Sequence, residues 1–395
     1  MKRPKKWGIL LGLLALLAGC GQVRLPETVS FSPPPSPDPT VQEDTSGQEF
    51  AARLFDGVDP VLLWGREQLD PDAQDAYDRM CGAIACYQES LDIQVDQAQV
   101  EQILAAIRID HPEYFWFDGA ASFVSTELAG VPIKTTCTLT YTLDRDQITQ
   151  AGQQVQQYTA ACLSSPEVAS AQSDYEKILG VYRYIIDNTD YVISEPDQSI
   201  LSVMRDHEGT CAGYARSFQY LMNQLGIPCT MALGYGDTGE SHGWNMVQCG
   251  GQWYQMDVTW GDPVTPEGQP GTSLQYTYCL VTDQEIYRDH TLDSLIPMPA
   301  CTATEYNYFV QSGRQYAVWD PAAYEAAMAG ALEAGERWFS VRFETEESYR
   351  AALAELVDGG GLAGMFARLD VAADRVTYSQ NDMFREISVL LAPER

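Results

Sequence analysis

Cys211, His242 and Asp257 are the residues of this chain whose types and spacing could do chemistry. Cys211 lies in Gly209-Thr-Cys-Ala-Gly-Tyr-Ala-Arg-Ser-Phe-Gln-Tyr220. There Tyr214, Phe218, Leu221, Met222 and Leu225 recur at helical spacing before Gly226 and Pro228 stop the run. The thiol therefore falls in the first turn of a predicted helix. A thiol in that position meets the positive end of the helix dipole and unpaired backbone N–H groups, both of which favour thiolate over thiol. His242 and Asp257 fall in two runs of strand character, 242–249 and 252–260, with Gly250-Gly251 between them as a two-residue hairpin signal. Such a turn pairs Cys249 with Gln252, Trp244 with Asp257 and His242 with Thr259. Alternation then puts His242, Trp244, Asp257 and Thr259 on one face, with Asp257 the diagonal neighbour of His242. A His beside a carboxylate is oriented and ready to accept a proton. If that face meets the start of the Cys211 helix, the three side chains make a nucleophile, a base and an orienter. Spacing alone does not bring them together.

Three blocks of sequence do point to that meeting. Gly209-Thr-Cys-Ala-Gly-Tyr-Ala-Arg, Ser241-His-Gly-Trp-Asn-Met-Val and Trp253-Tyr-Gln-Met-Asp-Val-Thr-Trp-Gly-Asp-Pro263 resemble, in this order, the three blocks of the transglutaminase-like superfamily, over roughly residues 170–265. The resemblance implies an α+β fold with a papain-like core, N-terminal helices packed on an antiparallel sheet. It implies Cys211 as nucleophile, His242 as general base and acid, Asp257 as orienter, and a thioester acyl-enzyme formed on a peptide or protein amide. The oxyanion hole would use the Cys211 backbone N–H. Tyr191, Tyr214 and Trp244 lie beside the three residues and are the candidates for substrate contact, Tyr191 also for the second oxyanion donor, although aromatics so placed more often belong to a core. Asp262 reads as a turn former, and no EF-hand-like loop is present, so neither calcium nor another cofactor is implied.

The elements that would hold these residues follow the chain. Residues 1–20 have a basic start, a short apolar run and the ending Leu17-Ala-Gly-Cys20, which resembles the lipobox of bacterial lipoproteins, with Cys20 the lipidated residue. Residues 21–48 are a Pro-rich tether. An accessory α+β domain is expected over 49–165, with helices at 70–87, 96–109 and 147–162 and a strand at 133–143. The catalytic domain is expected over 166–300, with helices at 173–190, 200–206 and from Cys211, a strand at 229–235, the hairpin, and a returning strand at 273–281. A small α+β domain closes the chain over 301–395, with strands at 306–310, 338–343 and 375–391 and helices at 321–334, 347–357 and 362–369. His111, before Pro112, is expected to cap or pack. His207 and His290 have no matching partners and read as surface or packing residues.

Composition narrows the partners. The formal charge is −31, and removing residues 1–20 takes away four basic residues and no acidic one, leaving 20 Lys and Arg against 55 Asp and Glu, a net −35. A broad basic face for nucleic acid or anionic lipid is thereby excluded. Cys20 and Cys211 set aside, eight of the ten cysteines remain, an even number that permits disulfides without choosing their connectivity. The expected function is a lipid-anchored, extracytoplasmic cysteine acyl-transfer enzyme that hydrolyses a peptide, protein or cell-wall amide. The alternatives are a true amine-accepting transglutaminase and a non-catalytic cell-surface binding or scaffold protein on the same fold.

Overall fold

The computed structural model describes residues 60–128, 131–192, 198–262, 274–336, 338–371 and 377–391. The expected leader, lipidation site and tether lie outside the described residues. The N-terminal part alternates helix and strand. Helix α1 (Pro71–Ala85) starts at an Asp70 cap, strand β1 (Ser90–Ile93) follows, and helix α2 (Gln97–Asp110) opens with a reciprocal Asp96–Gln99 capping box. Strands β2 (Phe117–Leu128) and β3 (Val131–Tyr141) precede helix α3 (Arg145–Leu163), itself started by an Asp144–Gln147 capping box. The three strands form an antiparallel sheet in the order β1-β3-β2. Strand β2 was not expected from the sequence. Its first half, Asp118-Gly-Ala-Ala-Ser, has no β-branched run, and pairing with β3 rather than local propensity makes it a strand.

The central part begins with α4 (Asp174–Asp187), capped by Ser173, and the buried α5 (Ile200–Met204). Helix α6 (Cys211–Gln224) carries Cys211 as its first residue and ends at Gly226. Strands β4 (Cys229–Tyr235), β5 (Ser241–Cys249), β6 (Gln252–Met256), β7 (Cys279–Val281) and β8 (Thr291–Leu292) form one antiparallel sheet in the order β8-β4-β5-β6-β7. Gly250 and Gly251 both take positive φ, +59° and +78°, as a two-residue hairpin turn requires. The pairing runs from Cys249 opposite Gln252 to Asn245 opposite Met256, the expected register. It stops there: the Asp257 N–H turns to the Tyr278 carbonyl at 3.1 Å, so the expected pairs Trp244–Asp257 and His242–Thr259 are not ladder pairs. The expected strand over 273–281 is likewise only three residues long among the described residues.

Helix α6 lies against this sheet, with Tyr214, Phe218 and Leu221 fully buried and Asn245 Nδ2 donating to the Ala215 carbonyl at 2.9 Å. Gln219 Nε2 donates to the Ile109 carbonyl at 2.6 Å, tying it also to α2. One apolar core runs unbroken from Leu69 to Phe309.

The C-terminal part has its own core, centred on Tyr324, Phe339, Phe343, Tyr349 and Ile387. Its strands β9 (Gln315–Tyr316), β10 (Trp338–Phe343), β11 (Tyr378–Asn381) and β12 (Glu386–Leu390) are ordered β9-β10-β12-β11, and its helices are α7 (Pro321–Glu333), α8 (Glu346–Leu353) and α9 (Gly361–Arg368). The expected strand over 306–310 is instead a single helical turn, Tyr308–Gln311. Asn307 caps it by accepting from the Phe309 N–H, and Gly313 at φ +67° ends it. Arg342 fastens this sheet to the central part: its guanidinium donates to Glu386 Oε1, to Glu285 Oε1 and to the Thr277 carbonyl. All nine described cysteines are free thiols.

Because Phe218 of α6 is fully buried in the main core, Phe218→Ala is expected to cost about 3–5 kcal/mol of stability, read from the urea midpoint at unchanged slope.

Candidate active site

The Cys211 thiol is half-buried at the N-terminus of α6, its Sγ 4.0 Å from the Ser241 carbonyl. The cap residue, Thr210, makes no side-chain hydrogen bond to the first turn, which leaves the early N–H groups of α6 unclaimed by their own cap. The approach of α5 behind that turn depends on Gly213: a Cβ there would stand 2.2 Å from Ser202 Oγ.

His242 sits at the start of β5, and its Nε2 is 2.8 Å from Asp257 Oδ2. The ring also contacts Cys211, and with Nε2 held by Asp257 it is Nδ1 that is left for the thiol. His242 of the expected face thus lies against Asp257 and meets Cys211 at the start of the cysteine helix, although Trp244–Asp257 and His242–Thr259 are not ladder pairs. Asp257 is wholly buried, and its other oxygen accepts the Trp260 N–H at 3.1 Å.

The sequence reading missed His290. It is 2% exposed, with Nε2 3.0 Å from the same Asp257 Oδ2 and Nδ1 2.8 Å from Asp289 Oδ1. Tyr278 donates to the other Asp289 oxygen at 2.5 Å. Each ring nitrogen of His290 faces a carboxylate oxygen, an arrangement that favours the doubly protonated, cationic ring. The reading of His290 as a surface or packing residue is therefore corrected. Its one local sign in the sequence is the preceding Asp289, and its partner Asp257 stands 33 residues away.

The electrostatics follow. Burial alone would lower the His242 pKa, but the Asp257 charge, its hydrogen bond and the contact with Cys211 raise it from 6.5 to about 10. Burial would push the Asp257 carboxyl up, and the two imidazole partners instead hold it well below the usual carboxylate range. His290 is raised for the same reason, against burial and against the repulsion of His242. With the folded His242 value above the unfolded one, the pair contributes its stability in full below about pH 6.5 and loses it as the pH rises through about 10. His242, Asp257 and His290 also present three ligand-type atoms within 4.8 Å of one another. Those atoms are already joined by two N–H···O bonds on one oxygen, an arrangement suited to holding protons.

Of the candidates for substrate contact, Tyr191 is half-buried close to Cys211. Tyr214 and Trp244 are fully buried and cannot touch a substrate. The Tyr214 hydroxyl lies 2.6 Å from Asp262 Oδ2 and 3.1 Å from the Thr189 carbonyl, and Trp244 Nε1 donates to Gln255 Oε1. Asp262 does sit in a turn, its N–H on the Thr259 carbonyl. Burial, with Asp190 and Asp187 nearby, pushes its carboxyl up to about 6 against the Tyr214 bond. A cavity of about 330 Å³ opens here, walled by Tyr191, Trp260, Asp262, Gln275, Tyr278 and Asn381. Trp260 separates it from the His242 ring, at 5.3 Å between centroids, and Asn381 comes from β11 of the C-terminal sheet.

Residues 163–258 match the family model of the Transglutaminase-like superfamily, and Cys211, His242 and Asp257 all fall inside the match, whereas His290 lies beyond it. The chain is similar to Kyphoscoliosis peptidase of Mus musculus and of Homo sapiens, 28% identical over 116 residues in each case. The match covers 25% of this chain and spans only 18% of the length of those relatives. Among solved structures, similarity extends to a TGase, at 13% identity over 46% of this chain and 54% of that one, TM-score 0.27. It extends also to the periplasmic domain of TgpA from Pseudomonas aeruginosa bound to ethylmercury, at 14% identity over 33% and 57%, TM-score 0.23.

Asp257→Asn keeps the shape and removes the charge, so burial and the neighbouring His290 are opposed only by the contact with Cys211. The His242 titration, followed by ring NMR, is expected to fall from about 10 toward its ordinary value. His290→Gln removes a neighbouring cation and is expected to move the same titration upward.

Proposed function

We propose that this chain, which carries a transglutaminase-like domain over residues 163–258, is a cysteine acyl-transfer enzyme that hydrolyses peptide or protein amides. The observation that carries the reading is the His242 ring, held by Asp257 through Nε2 and in contact with Cys211. In the first step Cys211 Sγ forms a bond to the amide carbonyl carbon and the carbonyl electron pair moves to oxygen. The C–N bond then breaks as His242 gives its proton to the leaving amine. A thioester remains on Cys211. Water attacks it, passing a proton to His242, and the C–S bond breaks to release the carboxylic acid.

The developing oxyanion lies where the N-terminus of α6 points. The Cys211 N–H is one donor, aided by the helix dipole. Tyr191 is the second: it stands near Cys211 and lines the cavity. Water rather than an amine is taken as the acceptor, and the cavity next to Trp260, walled also by Gln275 and Asn381, has room for it. The Leu17-Ala-Gly-Cys20 ending supports an extracytoplasmic enzyme anchored by lipid at Cys20. The C-terminal part contributes a wall of the cleft through Asn381 and thereby shapes the substrate.

Incubation with a peptide library, with and without a primary amine, tests the reading by mass spectrometry. Expected are new free carboxylates that disappear in Cys211→Ala and are not replaced by amine adducts. Turnover that survives Cys211→Ala would move the chemistry elsewhere, and amine adducts as the main product would make the enzyme a transglutaminase. Tyr191→Phe is expected to lower kcat about 10- to 100-fold with little change in KM. Cys20→Ala is expected to shift the protein from the membrane to the soluble fraction.

A further inference from the structure

The described cysteines fall into two groups. Cys137, Cys162, Cys229, Cys249, Cys279 and Cys301 are buried, and burial pushes their thiols up, Cys137 to about 11 and Cys162 and Cys249 to about 12. Such thiols are inert packing groups. Cys81, Cys86 and Cys211 are half-exposed. Cys81 has surroundings that its sequence context did not announce.

Cys81 Sγ, on α1, lies 3.4 Å from His111 Nε2 at the end of α2. The other nitrogen of that ring, Nδ1, lies 2.5 Å from Glu113 Oε1. His111 and Glu113 are 7% and 5% exposed, so the pair is shielded from water, while Cys81 itself is only half-buried. Tyr114 stacks on the His111 ring at 4.4 Å and 9°, fixing its plane, and its hydroxyl engages Cys81. This is again a thiol, an imidazole and a carboxylate in line, built from different elements than those around Cys211. The charged and titratable groups around it are Arg66 and His111 on one side of the balance and Glu113 and Asp110 on the other, with Tyr77 and Tyr114. Arg66 is paired to Asp78, and Asp110 is occupied by the Gly65 and Arg66 N–H groups and the Tyr77 hydroxyl. Burial would lower the His111 pKa, but the Glu113 charge and the Cys81 hydrogen bond hold it well above its ordinary value.

We propose that Cys81, His111 and Glu113 form a second thiol centre, independent of Cys211, that is modified by low-molecular-weight disulfides. Sγ attacks one sulfur of R–S–S–R in line. The Cys81–S–S–R bond forms as the R–S–S–R bond breaks, the thiol proton is held by His111, and R–S⁻ leaves and is protonated from solvent. Cys81 is half-buried rather than enclosed, which leaves an approach for a small linear disulfide. His111, oriented by Glu113 and packed on Tyr114, supplies what an isolated cysteine lacks: a base held at hydrogen-bonding distance in a site with cationic neighbours.

Oxidised glutathione at neutral pH, with the full chain carrying Cys211→Ala, tests this by peptide mass spectrometry. Expected is one glutathionyl group on Cys81, formed on the order of tenfold faster than on free cysteine. Glu113→Gln keeps the shape and is expected to bring the rate down to that of free cysteine at an unchanged circular dichroism spectrum. If that variant does not fold, the pH dependence of the parent decides. A rate nearly flat between about pH 6 and 8 supports the centre, and a rate climbing about tenfold per unit overturns it. A Cys81 rate no greater than that of free cysteine, an adduct on Cys86 instead, or an unchanged rate in folded Glu113→Gln also overturns it.

Discussion

The site depends on one buried charge. Asp257 is a carboxylate with no exposed surface, and an unpaired ion so placed would cost several kcal/mol even after relaxation. Three N–H groups meet that cost: His242 and His290 on Oδ2 and the Trp260 backbone on Oδ1. Satisfying the carboxylate also arranges the chemistry. It fixes the His242 ring, keeps its proton on past neutrality, and leaves Nδ1 toward Cys211. His290 shares the oxygen and carries a second positive charge, which tempers the hold of Asp257 on His242. Removing one member of such a buried set leaves the others unpaired, so the positions are held by mutual need rather than by packing alone.

The rest of the fold brings the parts to this carboxylate. Strand β5 delivers His242, and the end of β6 delivers Asp257 at the point where its N–H leaves the ladder for Tyr278. The segment before β8 delivers His290. Helix α6 is pinned to the sheet by Asn245 and to α2 by Gln219, so the N-terminal region braces the cysteine helix from behind. Arg342 fastens the C-terminal sheet to Thr277 and Glu285, and Asn381 then reaches the cavity wall. The cleft is thus walled by the central and C-terminal parts, with the N-terminal part holding the cysteine helix, whereas the family match covers only 163–258.

Local signals in the sequence located much of this. The Gly250-Gly251 turn set the hairpin register, which in turn put His242 and Asp257 together. The helices expected from residues 70, 96, 147 and 173 start one or two residues away, at Pro71, Gln97, Arg145 and Asp174, each behind an Asp or Ser cap. The meeting of Cys211 with that face was legible only through the three-block resemblance, because it is a packing contact between elements. What stayed hidden was long-range by nature. Strand β2 exists through pairing with β3, His290 acts through an oxygen 33 residues away, and His111 through a cysteine 30 residues back. Tyr214 and Trp244, close to the site in sequence, face its interior and serve as scaffold.

The most direct measurement of the central claim is the alkylation rate of Cys211 by iodoacetamide, compared between the parent protein and His242→Ala. If a protonated His242 held by Asp257 activates the thiol, the parent reacts well above a model thiol and almost independently of pH between about 5 and 8. The variant then falls to the model thiol and climbs with pH. Equal rates and equal pH dependence in the two proteins would contradict the account.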